Sequence, residues 1–171
     1  MCMTLIAGKS VTSNGRVLVG HNEDDYVFYS VNHGYVPRCK WSKDAMLPAE
    51  KGCIQLHQSK ETYGYSWTQV RKPDGGMATA DSFINENGVV IVSNSSCGSR
   101  EYDESAVHPD FGICYELRRT VAERAKTARH GLEIAIELIK TCGYNSPGRI
   151  YTIADADEAF MLQIVLTLLK F

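Results

Sequence analysis

Two short apolar runs near the N-terminus, residues 5–7 and 17–19, flank the turn-rich stretch Ser13-Asn14-Gly15. Apolar runs on either side of Asn-Gly are the pattern of a β-hairpin. The second run leads directly into the polar cluster His21–Asp25. Because a hairpin brings its two ends together, we expect Cys2 to lie close to that cluster.

A second Asn-Gly turn, in residues 85–88, separates residues 82–84 from the apolar run 89–92. This again predicts a hairpin, and the run of four apolar residues predicts a strand that is buried on both faces. The strand ends in the small polar loop 93–99, which contains Asn94. Loops at the ends of buried strands are frequent places for binding and catalytic groups.

Helical spacing of apolar residues predicts one helix over residues 113–125 and another over residues 128–141. Thr127 is placed to cap the second helix, and Gly143 to end it. Two further strands are predicted at residues 149–154 and 158–165, around the turn 155–157. Strands, then two helices, then strands indicate an α+β fold, with residues 1–171 as a single domain.

The region between the two hairpins gives a weaker pattern. Residues 53–57 and 63–70 alternate apolar and polar side chains, which predicts two strands. Residues 37–51 are rich in lysine, proline and acidic residues, which predicts an exposed loop.

Composition narrows the functional classes. The chain has 171 residues, of which 44% are hydrophobic and 22% charged, and a net charge of −2. These values are those of a globular protein, and they favour neither nucleic acid nor an anionic membrane as partner. We see no apolar run long enough for a membrane span and no signal peptide, so we expect a cytoplasmic protein.

The cysteines and histidines do not follow metal-ligand patterns. None of the six cysteines is in C-x-x-C spacing, and the five histidines show neither H-x-x-x-H nor H-E-x-x-H. We also find no glycine-rich nucleotide loop. The sequence therefore predicts no metal and no cofactor, and five of the six cysteines are interpreted as structural thiols.

Cys2 differs from the other cysteines in its position. Removal of the initiator methionine would make it residue one, with a thiol and an α-amine on the same residue. The amine, with a typical pKa of about 7.7–8.0, can accept the thiol proton near neutral pH. Taken alone, the position of Cys2 favours a small residue at a strand start. Its expected proximity to the polar cluster favours the role of nucleophile.

The other candidates are His21, the three acidic residues that follow it, and Asn94. One carboxylate of the cluster could hold the N-terminal amine, whereas consecutive acidic residues are more often solvated. His21 could be a base, a substrate contact or a core histidine. Asn94 could donate to a developing oxyanion or simply cap the end of its strand.

Five sequence strings, taken in order, resemble the dipeptidase A/secernin family. They are MC-x-T-L-I-x-G-K, G-H-N-E-D-D, R-K-P-D-G, I-N-E-N-G-V-x-I-V-S-N-S and R-I-Y-T-I-A-D. The family comprises cysteine peptidases among the N-terminal-nucleophile hydrolases and is related to penicillin V acylase and bile salt hydrolase. The resemblance implies a four-layer αββα sandwich and hydrolysis of small dipeptides by a thiol protease.

The resemblance also assigns roles to individual residues. It implies Cys2 as the nucleophile, Asp24 as the carboxylate that holds its amine, and Asn94, or its neighbour Ser95, as an oxyanion donor. His21 stands where the acylase branch has an arginine, which suggests contact with substrate. Glu23 and Asp25 are then expected to be flanking charges.

The sequence departs from the family after residue 165, where the string LTLLKF replaces a longer continuation. We therefore expect an incomplete sandwich from a C-terminally truncated member. Three hypotheses follow. The chain is a cysteine dipeptidase, or an inactive fragment that pairs with another chain, for example as a homo-oligomer, or an acylase acting on a non-peptide amide.

Overall fold

A six-stranded antiparallel sheet forms the centre of the molecule. The computed structural model describes residues 2–23, 30–47, 54–71, 77–94, 112–146 and 148–165. The strands are β1 Met3–Ala7, β2 Leu18–Asn22, β3 Ser30–Val36, β4 Cys39–Lys40, β5 Glu61–Thr62, β6 Tyr65–Arg71, β7 Met77–Asn85, β8 Val90–Asn94, β9 Gly148–Ala154 and β10 Ala159–Val165. The helices are α1 Glu116–Arg124 and α2 Ala128–Cys142, and a 3₁₀-helix spans Lys9–Val11.

The order of strands in the large sheet is β10-β9-β8-β7-β6-β3, and each neighbouring pair is antiparallel. Two separate two-stranded sheets pair β1 with β2 and β4 with β5. An antiparallel sheet with two consecutive helices is an α+β arrangement, as the order of predicted elements indicates. Both predicted Asn-Gly hairpins form, and Gly15 and Gly88 adopt the positive φ that such turns require.

Helices α1 and α2 cover one face of the large sheet, where the hydrophobic core lies. Its fully buried members include Val89, Ile91, Leu117, Val121 and Ile153. The β1–β2 hairpin lies on the opposite face, against β8. The hairpin is also held to the β9–β10 turn, since Val17 N–H donates to the Ala156 carbonyl at 3.0 Å.

The predicted ends of α2 are confirmed. The Thr127 hydroxyl accepts a hydrogen bond from His130 N–H at 3.2 Å, and Gly143 ends the helix with φ of 73°. The start of α1 differs from the prediction, because residues 113–115 precede the helix. The backbone of Ile113 instead pairs with the segment after α2, through Ile113 N–H to Gly143 O and Asn145 N–H to Ile113 O.

One prediction between the hairpins was wrong. Residues 54–57 form no strand. His57 makes one isolated bridge with Met46, and Ile54 N–H donates to Gly112 O, so the backbone groups pair with separate segments. The stretch predicted as an exposed loop is exposed at most of its described residues, 37–47, and also contains the short strand β4 and the buried Leu47. Leu47 N–H donates to Leu56 O, which draws this apolar side chain inward.

Asn85 joins the β7–β8 turn to the end of α1. Its Nδ2 donates to the carbonyls of Ala122 and Ala125 at 2.9 and 2.8 Å. Its Oδ1 accepts from the N–H groups of Asn87 and Val89, both at 3.0 Å. The buried side chain of Asn85 therefore provides hydrogen-bond partners for four backbone groups that are not paired within a helix or a strand ladder.

We expect Asn85→Ala to lower the free energy of unfolding by at least about 3 kcal/mol, because several buried backbone groups lose their partner at once. Asn87→Ala is the matched control. Asn87 is exposed, and its side chain donates one hydrogen bond, to Ala125 O. Loss of this bond should lower the free energy of unfolding by less than about 1 kcal/mol. Urea unfolding of both variants measures the difference, and similar midpoints for the two would contradict this role of Asn85.

Candidate functional site

The β1–β2 hairpin brings the start of the chain to the polar end of β2. Met3 pairs with Asn22 and Thr4 with His21, so Cys2 and Glu23 flank the last pair of the ladder. Side chains alternate along a strand, which places Cys2 on the same face as Thr4. Cys2 is partly buried and its thiol is free. Asp24, Asp25 and Ser95 lie outside the described residues.

Thr4 lies at the centre of a small polar network. Its Oγ1 donates to Asn94 Oδ1 at 2.6 Å and is 2.9 Å from His21 Nδ1. Thr4 and His21 belong to the hairpin, whereas Asn94 is the last residue of β8 in the large sheet. The network therefore joins the strand that follows Cys2 to the strand that ends at Asn94.

His21 continues the network to an acidic residue. Its Nε2 lies 3.3 Å from Glu23 Oε2, and the His21 side chain is only 6% exposed. Glu23 is thus more than the flanking charge that the sequence suggested. It faces the site because it comes two residues after His21 and shares its face. His21 is thus a largely buried histidine whose two ring nitrogens contact the polar side chains of Thr4 and Glu23.

The amide orientation of Asn94 follows from its contact with Thr4. Because Oδ1 accepts the hydroxyl proton, the Nδ2 group points away from Thr4. An amide nitrogen is a donor only, so this orientation makes Asn94 suitable for binding a partial negative charge. The sequence did not single out Thr4. Its position, two residues from Cys2 and opposite His21, is the signal that could have indicated it.

Ser93, the residue before Asn94, anchors β8 to the helix side of the sheet. Ser93 Oγ accepts from Arg118 at 2.9 Å and from Arg149 at 3.0 Å. Both guanidinium groups are buried and lie over the ring of Tyr115, at 5.1 and 4.8 Å from its centroid. Ser93 and Asn94 thus point to opposite faces, and the bonds of Ser93 fix the end of the strand.

Tyr151 and Tyr144 form further hydrogen bonds near the start of α1. Tyr151 donates to the Cys114 carbonyl at 3.2 Å, and its hydroxyl lies 2.8 Å from that of Tyr144. Burial raises the pKa of Tyr151 to about 12 and also raises the pKa of Tyr144. Both phenols therefore remain neutral hydrogen-bonding groups at physiological pH.

A cleft of about 580 Å³ opens beside the network, between the hairpin and the sheet. His21 lines one side, and the other walls are largely apolar or aromatic: Val19, Tyr35, Trp67, Ile84, Val90 and Val92. Trp67 lies over Gly34, where an added Cβ would come within 2.4 Å of the indole Nε1. The cleft is large enough for a small organic molecule.

Within the part of the chain that the structure describes, no group of three or more His, Cys, Asp or Glu side chains is placed to hold a metal ion. In the same ranges, neither helix combines the length and apolar character needed to cross a membrane. Cys39, Cys114 and Cys142 are free thiols, in accord with a structural role. Cys53 and Cys97 lie outside the described residues.

A scan against protein-family models gives no match, and a search of curated proteins also gives no match. Function is therefore inferred from the residues of this chain and from the sequence resemblance given above.

We expect Ser93→Ala to lower the free energy of unfolding by about 1.5–3 kcal/mol, because two buried guanidinium groups lose the hydroxyl that they share. Ser66→Ala is the matched control, since Ser66 is an exposed strand serine and its replacement should change stability by less than about 0.5 kcal/mol. Thermal and urea unfolding provide the measurement. A Ser93→Ala protein as stable as the control would show that this contact does not anchor β8.

Proposed function

We propose that the chain is a cysteine-type dipeptidase that uses Cys2 as its nucleophile. The observation that carries the proposal is the hydrogen bond from Thr4 to Asn94, because it holds the end of β1 that bears Cys2 beside an oriented amide donor. The resemblance to the dipeptidase A/secernin family supplies the reaction class. The nearby cleft supplies space for a small substrate.

The proposed reaction begins with transfer of the Cys2 thiol proton to the α-amine that removal of Met1 would expose. The thiolate attacks the carbonyl carbon of the scissile amide, and the negative charge moves to the carbonyl oxygen. Asn94 Nδ2 donates to that oxygen. As the C–N bond breaks, the ammonium group returns its proton to the leaving amine, and a thioester remains on Cys2.

Water completes the cycle. The α-amine, now neutral, accepts a proton from water as the oxygen attacks the thioester carbonyl. Collapse of this second intermediate releases the carboxylic acid and restores the thiol. In this scheme Asp24 holds the α-amine, a role that comes from the resemblance, because Asp24 lies outside the described residues.

An αββα sandwich of the N-terminal-nucleophile type is part of the same proposal. Two helices on one face of an antiparallel sheet, with the nucleophile hairpin on the other, are compatible with one half of such a sandwich. The hairpin side of the sheet also exposes Val31, Tyr35, Ile84 and Met161. A second sheet packed on this face would bury these side chains.

The cleft lining favours a second candidate, an acylase that acts on a non-peptide amide. Apolar walls such as Ile84, Val90 and Val92 suit an acyl chain or aromatic group as well as an amino acid side chain. Hydrolysis of N-acyl amides together with no hydrolysis of dipeptides would favour the acylase over the dipeptidase.

Replacement of Cys2 tests both candidates. We expect Cys2→Ala to abolish hydrolysis of a panel of dipeptides and N-acyl amides, and Cys2→Ser to reduce it strongly, because a hydroxyl is less readily deprotonated than a thiol. Cys39→Ser is the matched control, since Cys39 is another free, partly buried cysteine, on β4 outside the site. Chromatography of the released products measures the rates. Hydrolysis that persists in Cys2→Ala would refute the proposal.

The state of the N-terminus is a separate requirement. We expect the intact mass of the purified chain to lack one methionine residue, because the proposed base is the amine of Cys2. A chain that retains Met1 should be inactive and should gain activity after treatment with methionine aminopeptidase. Full activity of a chain with Met1 in place would contradict the role of the α-amine.

A further inference from the structure

Beyond the nucleophile and the oxyanion donor, we propose that Thr4 is a positioning residue that sets which end of the Asn94 amide faces the substrate. This inference rests on the proposed function, since it concerns the same site. It assigns a role to a side chain that belongs to the first motif string but for which the resemblance implied no role.

The single proton of the Thr4 hydroxyl determines the direction of its two hydrogen bonds. A threonine hydroxyl has one proton and two lone pairs. The proton goes to Asn94 Oδ1 at 2.6 Å, so the 2.9 Å contact with His21 must run from Nδ1–H to the Thr4 oxygen. The three side chains form a chain of donors with a single direction, from His21 through Thr4 to Asn94.

Glu23 supports that direction from the far end. Its carboxylate lies 3.3 Å from His21 Nε2, so the far side of the imidazole faces a negatively charged group. With Nδ1–H donating to Thr4, the Thr4 hydroxyl directs its own proton to Asn94.

The consequence lies in the Asn94 amide, whose two ends have opposite polarity. With Oδ1 held by Thr4, Nδ2 faces away and can donate to an oxyanion. If the Thr4 hydroxyl were absent, rotation of the amide by half a turn would present Oδ1, an acceptor, to the same oxyanion. That contact would be repulsive, so catalysis would suffer although Asn94 itself was still present.

The location of Thr4 gives the bond a second effect. Thr4 is two residues from Cys2 along β1, and Asn94 belongs to a different sheet. The hydrogen bond therefore fixes the distance between the strand of the nucleophile and the strand of the donor. Small changes in that distance lower the reaction rate of a site whose groups must be positioned before the reaction.

Two substitutions of Thr4 distinguish the effect of its hydroxyl group from the effect of its side-chain shape. Thr4→Val keeps the β-branched side chain and removes the hydroxyl, whereas Thr4→Ser keeps the hydroxyl. We expect Thr4→Val to lower kcat by roughly 10- to 100-fold with little change in KM, by comparison with the loss of one oxyanion donor. Thr4→Ser should restore kcat to within about threefold of the parent. Leu5→Val, on the exposed face of β1, controls for a new valine in this strand.

A second measurement does not depend on activity. In protein labelled with ¹⁵N-asparagine, the side-chain NH₂ signals of Asn94 can be identified by their loss in Asn94→Asp. We expect these signals to shift or broaden in Thr4→Val and to stay in place in Thr4→Ser and Leu5→Val. Unchanged Asn94 signals in folded Thr4→Val would overturn the proposal.

The two measurements also separate this inference from the proposed function. If the parent chain with a free Cys2 amine hydrolyses no amide, the proposed function fails, and the NMR signals still decide whether Thr4 orients Asn94. Two results with an active parent would refute the positioning role. One is a Thr4→Val variant that raises KM without lowering kcat, and the other is a Thr4→Ser variant that fails to restore kcat.

Discussion

The candidate site depends on one hydrogen bond, from Thr4 Oγ1 to Asn94 Oδ1. This bond connects a separate two-stranded sheet, through side chains, to β8 of the large sheet that carries the core. Because it is short and partly buried, it is worth more than an exposed bond of the same type. Through this bond, the strand that follows Cys2 is held beside Asn94.

The large sheet makes that position rigid. Alternation along β8 sends Asn94 toward the hairpin and Ser93 toward α1, where two buried arginines donate to its hydroxyl. The end of β8 thus connects the candidate site to the buried helix side of the sheet. The same division of faces leaves the cleft on the hairpin side, lined by strand residues such as Ile84 and Val92.

The sequence was most informative where local chemistry decides the structure. Asn-Gly turns fixed both hairpins, and Thr127 and Gly143 marked the ends of α2. The prediction of elements from sequence was wrong where segments distant in the chain provide the backbone hydrogen-bond partners. Ile113 pairs with residues beyond α2, and His57 makes a single bridge. Cys2, His21 and Asn94 could be selected by residue type. The part played by Thr4 could not, because threonine is ordinary in a strand and its contact with Asn94 spans 90 residues.

Detection of a covalent intermediate tests the central claim most directly. The chain with a free N-terminal Cys2 would be mixed with an activated amino acid ester, quenched in acid and digested for peptide mass spectrometry. The account predicts an acyl group on Cys2, formed faster than on Cys39 and absent from Cys2→Ala. Acylation of Cys2 no faster than that of Cys39, or no adduct on Cys2 at all, would contradict it.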